Sequence, residues 1–192
     1  MNVQLLEYPT DKDWMEVKRR ALVTIGKRPI SPPTEEWKRE ILRARHSPIR
    51  YLRFSFLIEG LPSWVSVHLC RHVHAQPYVR SQRNDRQSEY DRAAAPQSSP
   101  VDMIWDINAE ELMVVANKRL CSMASPETRE VVQRMCDLVE RRCPEFEGLL
   151  VPMCVYTGEC KEMFGGCGRF GGKEIDHEAG DCGLATEPKM ED

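Results

Sequence analysis

The sequence predicts a mixed α/β domain, and three observations carry that reading. Segments with helical apolar spacing and capping residues recur along the chain, one stretch between them alternates with the two-residue period of a half-buried strand, and no apolar run is long enough to span a membrane. With 192 residues, 41% hydrophobic and 30% charged, the chain can bury one core without help from disulfides or metals.

Thr10 or Asp11 can cap a first helix running to about Ile25, with Trp14, Val17, Ala21 and Val23 or Ile25 on its apolar side. Gly26 and Pro29 end it. Ser31-Pro32-Pro33-Thr34 opens a second helix, whose Glu35 and Glu36 place negative charge at the N-terminus and which ends near His46-Ser47-Pro48. From Tyr51 to Glu59 the pattern changes: Leu52, Phe54, Phe56 and Ile58 fall on one face of a strand, and Tyr51, Arg53, Ser55 and Leu57 on the other. Gly60 breaks the strand, and Pro62 suits the first turn of a short helix that carries Trp64, Val65, Val67 and Leu69 into Arg71-His72.

Residues 82–100 are polar and rich in Arg, Ser, Gln and Pro, the composition of a long ordered loop. Asn108 can cap a third helix through about Met123, with Leu112, Val115, Ala116 and Leu120 at helical spacing. Ser125-Pro126-Glu127 starts a fourth, with Val132, Met135, Leu138 and Val139 inward, which runs to about Arg142 before Pro144 stops it. The domain is therefore placed at residues 1–170. From Gly171 to Asp192 the chain is acidic and Gly-containing, and a disordered tail is expected there.

A net charge of -3 gives no global attraction to nucleic acid or to an anionic membrane, so a phosphate site would have to be a local cluster. The first residues lack a basic stretch followed by an apolar core, and a cytoplasmic protein is expected. Eight cysteines in that compartment would be reduced: buried thiols, metal ligands or catalytic groups. Cys154, Cys160 and Cys167, with His177 or Cys182 available, could form a tetrahedral zinc site. Their spacing lacks the close Cys-X2-Cys pairs of zinc knuckles, and plain reduced thiols are the competing reading. His72 and His74 could also share a metal, but two histidines one residue apart are a weak signal.

The local cluster exists. Arg71, His72, His74, Arg80, Ser81, Arg83, Arg86 and Arg92 form a basic island in an acidic protein, and guanidinium forks grip phosphates bidentately. Composition alone leaves two readings open, an anion site or a solvated surface in which these arginines pair with Asp85, Glu89 and Asp91. No Ser-His-Asp order with a nucleophile elbow accompanies Ser81, so it reads as a positioning hydroxyl and not an acyl-transfer nucleophile.

Arg71-His72-Val73, seven residues and Ser81, then Arg83, resemble the signature of flavin-dependent thymidylate synthases. A second block is similar to the same family in the same order: Asn108-Ala109, Asn117-Lys118-Arg119 and Ala124-Ser125-Pro126-Glu127-Thr128-Arg129, the last against the family's Ala-Gln-Trp-Glu-X-Arg. With looser likeness at His46-Ser47-Pro48 and Phe54-Ser55-Phe56, the resemblance covers about residues 46–142.

The resemblance implies an antiparallel sheet flanked by helices, assembled as a homotetramer with FAD between subunits. It implies reductive methylation of dUMP at C5 to dTMP, with methylenetetrahydrofolate as carbon donor and NADPH as reductant. By the same likeness Arg71, His72, Asn117 and Arg119 would contact the flavin, while Arg71, Ser81, Arg83 and Arg129 would hold the nucleotide. Arg129, with Ser81 positioning the substrate, is the residue expected to activate the pyrimidine, because a fixed cation stabilises charge developing on the ring.

The chain also departs from the family pattern. Val73 replaces a common basic residue, Val79 a common polar one, Asn84 a common tyrosine and His68 a common glutamine, and Asp102 falls near a substrate-binding arginine. These departures keep two alternatives in play: C5 methylation or hydroxymethylation of another pyrimidine nucleotide such as dCMP, and a non-catalytic nucleic-acid or metal-binding module.

Overall fold

The computed structural model describes residues 1–81, 83, 91, 93–163 and 165–170. The expected disordered tail, the alternative metal ligands His177 and Cys182, and the loop residues Asn84, Asp85, Arg86, Glu89 and Arg92 lie outside the described residues.

Four antiparallel strands form the sheet: β1 (Asn2–Glu7), β2 (Arg53–Pro62), β3 (Ala75–Val79) and β4 (Pro100–Asn108), in the order β1-β2-β4-β3. The helices are α1 (Asp11–Val23), α2 (Glu35–Arg43), α3 (Ser63–Cys70), α4 (Ala109–Arg119), α5 (Pro126–Arg142) and α6 (Met153–Thr157), with a 3-10 turn at Ser47–Tyr51. The predicted α/β class with an antiparallel sheet flanked by helices is the observed architecture.

Period-2 patterning decides which face of the sheet is buried. Phe54, Phe56 and Ile58 of β2 and Met103, Trp105 and Ile107 of β4 are all buried in one hydrophobic core. In register they meet as Phe54↔Ile107, Phe56↔Trp105 and Ile58↔Met103, and helices close over them through Leu112, Val115, Val132 and Met135. Ser55, on the opposite face, sits across from Asp106, and its hydroxyl donates to that carboxylate at 2.6 Å.

Two local devices shape the sheet. Pro77 lies in β3, at the edge of the sheet, where a residue without an N–H can be accommodated. Gly60 adopts φ +67° where the β2–β4 register shifts between Ile58 and Leu61, and its freed N–H donates to Asp102 Oδ1 at 2.9 Å. Asp102 also lies 3.7 Å from Arg80.

Helix ends follow the predicted caps. The Thr34 side chain accepts from the Trp37 N–H, Asn108 from that of Glu111 and Ser125 from that of Thr128. Three boundaries shift. The first helix stops at Val23, the second at Arg43 and the third at Arg119, short of Met123, because the chain turns there to bring Ser122 and Ala124 back toward α5.

Candidate functional site

The C-terminus of α3 delivers Arg71 and His72, and the last turn of α4 delivers Arg119 beside them. His72 is buried, with its ring edge-on to Trp105 at 6.2 Å between centroids. Its Nδ1 lies 2.9 Å from Glu111 Oε1, and Arg119 Nε donates to its Nε2 at 3.1 Å. Since Nε2 accepts, the proton sits on Nδ1 and is donated to Glu111, which fixes one neutral tautomer. Burial holds the imidazole below its ordinary pKa; the Glu111 hydrogen bond opposes that shift, while Arg119 and Lys118 add to it.

Arg119 is further held by the His68 carbonyl, to which its Nη2 donates at 3.0 Å. Burial lowers its pKa, and so does the neighbouring charge of Arg71. Arg71 itself is exposed, with no ion pair or hydrogen bond to its side chain among the described residues. Two cations therefore stand close together with carboxylate support only for the histidine behind them. Like charges brought together without an anion favour binding one, so these residues suit the phosphates of a nucleotide or dinucleotide such as FAD.

Arg129, in the first turn of α5, is half-buried, and its Nη1 donates to the carbonyls of Ser122 and Ala124, the latter at 2.9 Å. No carboxylate pairs with it among the described residues. Backbone carbonyls orient a guanidinium without cancelling its charge, which is the arrangement a fixed cation needs to act on an anionic ligand.

The other predicted residues fall elsewhere. Ser81 and Arg83 leave the far end of β3 on exposed backbone, with the Arg83 N–H donating to Ser81 Oγ at 3.3 Å. The four residue steps of β3 hold this end about 13 Å from the His72 end. Asn117 is buried, and both ends of its amide are engaged: Oδ1 accepts from Arg45, and Nδ2 donates to the Val151 carbonyl at 2.7 Å. Asn117 thus ties α4 both to Arg45 and to the 151 segment. Asp102, which departs from the family pattern, is occupied by the Gly60 N–H and Arg80.

Of the metal candidates, Cys154, Cys160 and Cys167 line one pocket together with Cys121. No three His, Cys, Asp or Glu side chains stand in ligating geometry among the described residues. Cys136 and Cys143 are core thiols, pushed up by burial, Cys143 to about 12, and are inert at neutral pH.

Glu111 was not anticipated from sequence as a site residue. The signal available was its position three residues after the Asn108 cap, where a glutamate usually reaches back to the cap backbone. Here the side chain turns instead to His72.

The fold defines an α/β domain in which the ends of α3 and α4 bring two arginines against a buried histidine. The sequence model of the family described as Thymidylate synthase complementing protein matches residues 85–145, which include Asn117, Arg119 and Arg129 but not Arg71, His72 or Ser81. No curated protein matches the chain.

Solved structures are similar across most of it. Thymidylate synthase X of Helicobacter pylori, with FAD and dUMP, shares 18% identity over 78% of this chain and 99% of its own, with a TM-score of 0.64. A second structure of flavin-dependent thymidylate synthase ThyX from the same organism, complexed with FAD and dUMP, gives 19%, 78%, 98% and 0.63. The UMP/dUMP methylase PolB of Streptomyces cacaoi, bound with 5-Br dUMP, gives 17%, 77%, 93% and 0.61. The fold is that of flavin-dependent thymidylate synthases, and the family model matches one segment of the chain, in keeping with the resemblance seen in the sequence.

No helix among the described residues is long and apolar enough to cross a membrane.

Proposed function

We propose that the chain is a flavin-dependent enzyme that methylates a pyrimidine nucleotide at C5, with dUMP as substrate and dTMP as product. The observation that supports this best is the close pair of cations, Arg71 and Arg119, backed by the buried, neutral His72 on a fold shared with proteins bound to FAD and dUMP. FAD, when bound, would pass reducing equivalents and the one-carbon unit to the pyrimidine, drawing on NADPH and methylenetetrahydrofolate.

The chain's residues divide the remaining work. Arg71 and Arg119 hold phosphate oxygens, and His72 fixes the orientation of Arg119 by accepting from its Nε. Arg129, oriented by two carbonyls, stabilises negative charge on the pyrimidine. Ser81 and Arg83, across β3, position the nucleotide from the other end of the strand. We further propose a homotetramer in the cytoplasm, in which a neighbouring copy brings these two ends to a common ligand.

One observation favours a second reading, in which the base is another pyrimidine such as that of dCMP, or the sugar is ribose. Asp102 is engaged by Gly60 and Arg80, so the arginine that relatives place near this point has no direct replacement.

Purified protein should be yellow, or become so with added FAD, and should convert dUMP to dTMP when given the folate and NADPH. Colourless protein that takes up no FAD but binds oligonucleotide in a salt-dependent way would sink the flavoenzyme reading in favour of a nucleic-acid-binding module. Methylated or hydroxymethylated dCMP without dTMP would move the assignment to the second base. Arg129→Ala should abolish turnover with flavin retained, whereas Arg119→Ala should weaken flavin retention. Equal flavin loss in both would contradict this division of roles.

A further inference from the structure

Arg45 combines two anomalies in one residue. Among the described residues it is the one non-glycine with a positive φ, +47°, and its Nε is buried without a hydrogen-bond partner. The backbone anomaly has a local origin. α2 ends at Ala44, and the N–H groups of Arg45 and His46 fold back to the carbonyls of Leu42 and Ile41 at 2.9 and 3.2 Å, the left-handed turn that closes many helices. Glycine enters that turn without steric cost, whereas a side chain crowds its own backbone there. An arginine at this point has to be accounted for by its side chain, and strain of this kind gathers at functional positions.

The side chain is held in place but not satisfied. Its Nη2 donates to Asn117 Oδ1, and its guanidinium lies over the Tyr156 ring at 4.3 Å, while the Tyr156 hydroxyl donates to the Arg43 carbonyl at 2.8 Å. A guanidinium carries five N–H donors, and among the described residues this one uses a single donor. Nη1 has no partner there and is not among the buried unpartnered atoms, so it reaches solvent from a half-buried side chain.

No carboxylate pairs with Arg45 among the described residues. Arg39, on the same helix, shows the contrast: it is bound by the Pro144 carbonyl and the Glu147 carboxylate. An amide oxygen and an aromatic face orient the Arg45 cation without cancelling its charge. Asn117 stands in the last turn of α4, two residues before Arg119, so Arg45 is fixed at the same end of that helix as the cation pair.

We propose that Arg45 is a further phosphate-binding residue, which takes a phosphate oxygen on its accessible Nη1. A guanidinium in need of an acceptor binds a phosphate through charge-assisted hydrogen bonds. That chemistry is common to the pyrophosphate of FAD and the monophosphate of a pyrimidine nucleotide. The choice between these two sources rests on the function proposed above; the demand of Arg45 for an oxyanion does not.

The test uses the full chain with three probes: inorganic pyrophosphate, FAD and dUMP. Arg45→Gln keeps a donor for Asn117 and removes the charge, while Arg45→Gly removes the side chain and relieves the left-handed turn. Pyrophosphate should raise the thermal midpoint of the parent, and both substitutions should remove most of that rise. In calorimetric titrations the affinity for FAD or for dUMP should fall about tenfold, equivalent to about 1.4 kcal/mol, and the one that falls identifies the source of the phosphate.

If Arg45→Gly fails to fold, Arg45→Gln carries the comparison. Unchanged pyrophosphate stabilisation and unchanged affinity for both FAD and dUMP in the variants would overturn the proposal, whatever their own thermal midpoints, and leave Arg45 as a tie between α2, α4 and α6. A parent that binds none of the three probes would overturn it as well. A parent stabilised by pyrophosphate through Arg45 that binds neither FAD nor dUMP would instead sink the flavoenzyme reading and keep the phosphate site.

Discussion

Glu111→Ala isolates the group that sets the state of His72. The carboxylate accepts from His72 Nδ1 at 2.9 Å, and both side chains are buried, so truncation leaves a buried donor without its acceptor. Losing a hydrogen bond to a charged group costs about 1.5–3 kcal/mol, and removing an acid from the first turn of a helix adds about 0.3–1 kcal/mol. Taking about 3 kcal/mol in all, a chain of this size should lose roughly 6–12 °C in thermal midpoint.

Glu111→Gln keeps an oxygen that can accept from Nδ1 and should lose about half as much. Both are measured by circular dichroism at pH 8, where the imidazole is neutral. If Glu111→Ala stays within about 1 °C of the parent, or if the Ala and Gln variants fall equally, the hydrogen bond is not what stabilises this region.

The remaining predictions concern pH and backbone. The folded chain resists protonation of His72, whereas the unfolded chain accepts the proton near the ordinary histidine value of about 6.5, so this contribution is fully present above that pH and declines as pH falls below it. His72→Gln should flatten that acid-side slope in urea titrations, and an unchanged slope would place the sensitivity on another group. Asn108→Ala removes the acceptor for the Glu111 N–H and should cost about 1 kcal/mol in chemical denaturation; a neutral result would show that the cap is dispensable. Gly60→Ala must place a Cβ at φ +67°, 3.7 Å from the Met1 backbone, and should cost about 1–2 kcal/mol from conformation more than from crowding; a stabilised variant would contradict the bulge geometry.

Much of the architecture was legible where one physical signal dominated. Capping by Thr34, Asn108 and Ser125, and the alternation in β2, depend on local chemistry and appear where expected. In β4, Val101, Met103, Trp105 and Ile107 alternate just as cleanly and are all buried, yet the strand follows a long polar stretch and leads directly into a helix cap, which obscured it. The edge strands β1 and β3 carry little pattern of their own, because each buries only part of one face and takes its register from a neighbour.

The site was legible by residue type but not by connection. Arg71, His72 and Arg119 do converge, since α3 and α4 end together, but no spacing rule could assign the His72 proton to Glu111 or direct the Asn117 amide to Arg45 and Val151. Such pairings depend on side-chain direction after packing. The neighbourhood of Cys121 was likewise hidden: it lines the same pocket as Cys154, Cys160 and Cys167, but lies just past α4, remote in sequence from them.

Strand β3 holds the two halves of the Arg-His and Ser signature apart, and that separation makes them independently adjustable. On the roles proposed above, changes around Ser81 and Arg83 would retune which nucleotide is accepted while the charge arrangement around His72 stays intact. A lineage could exchange one base for another by rewriting an exposed strand exit, without repacking the core that keeps its cations in place.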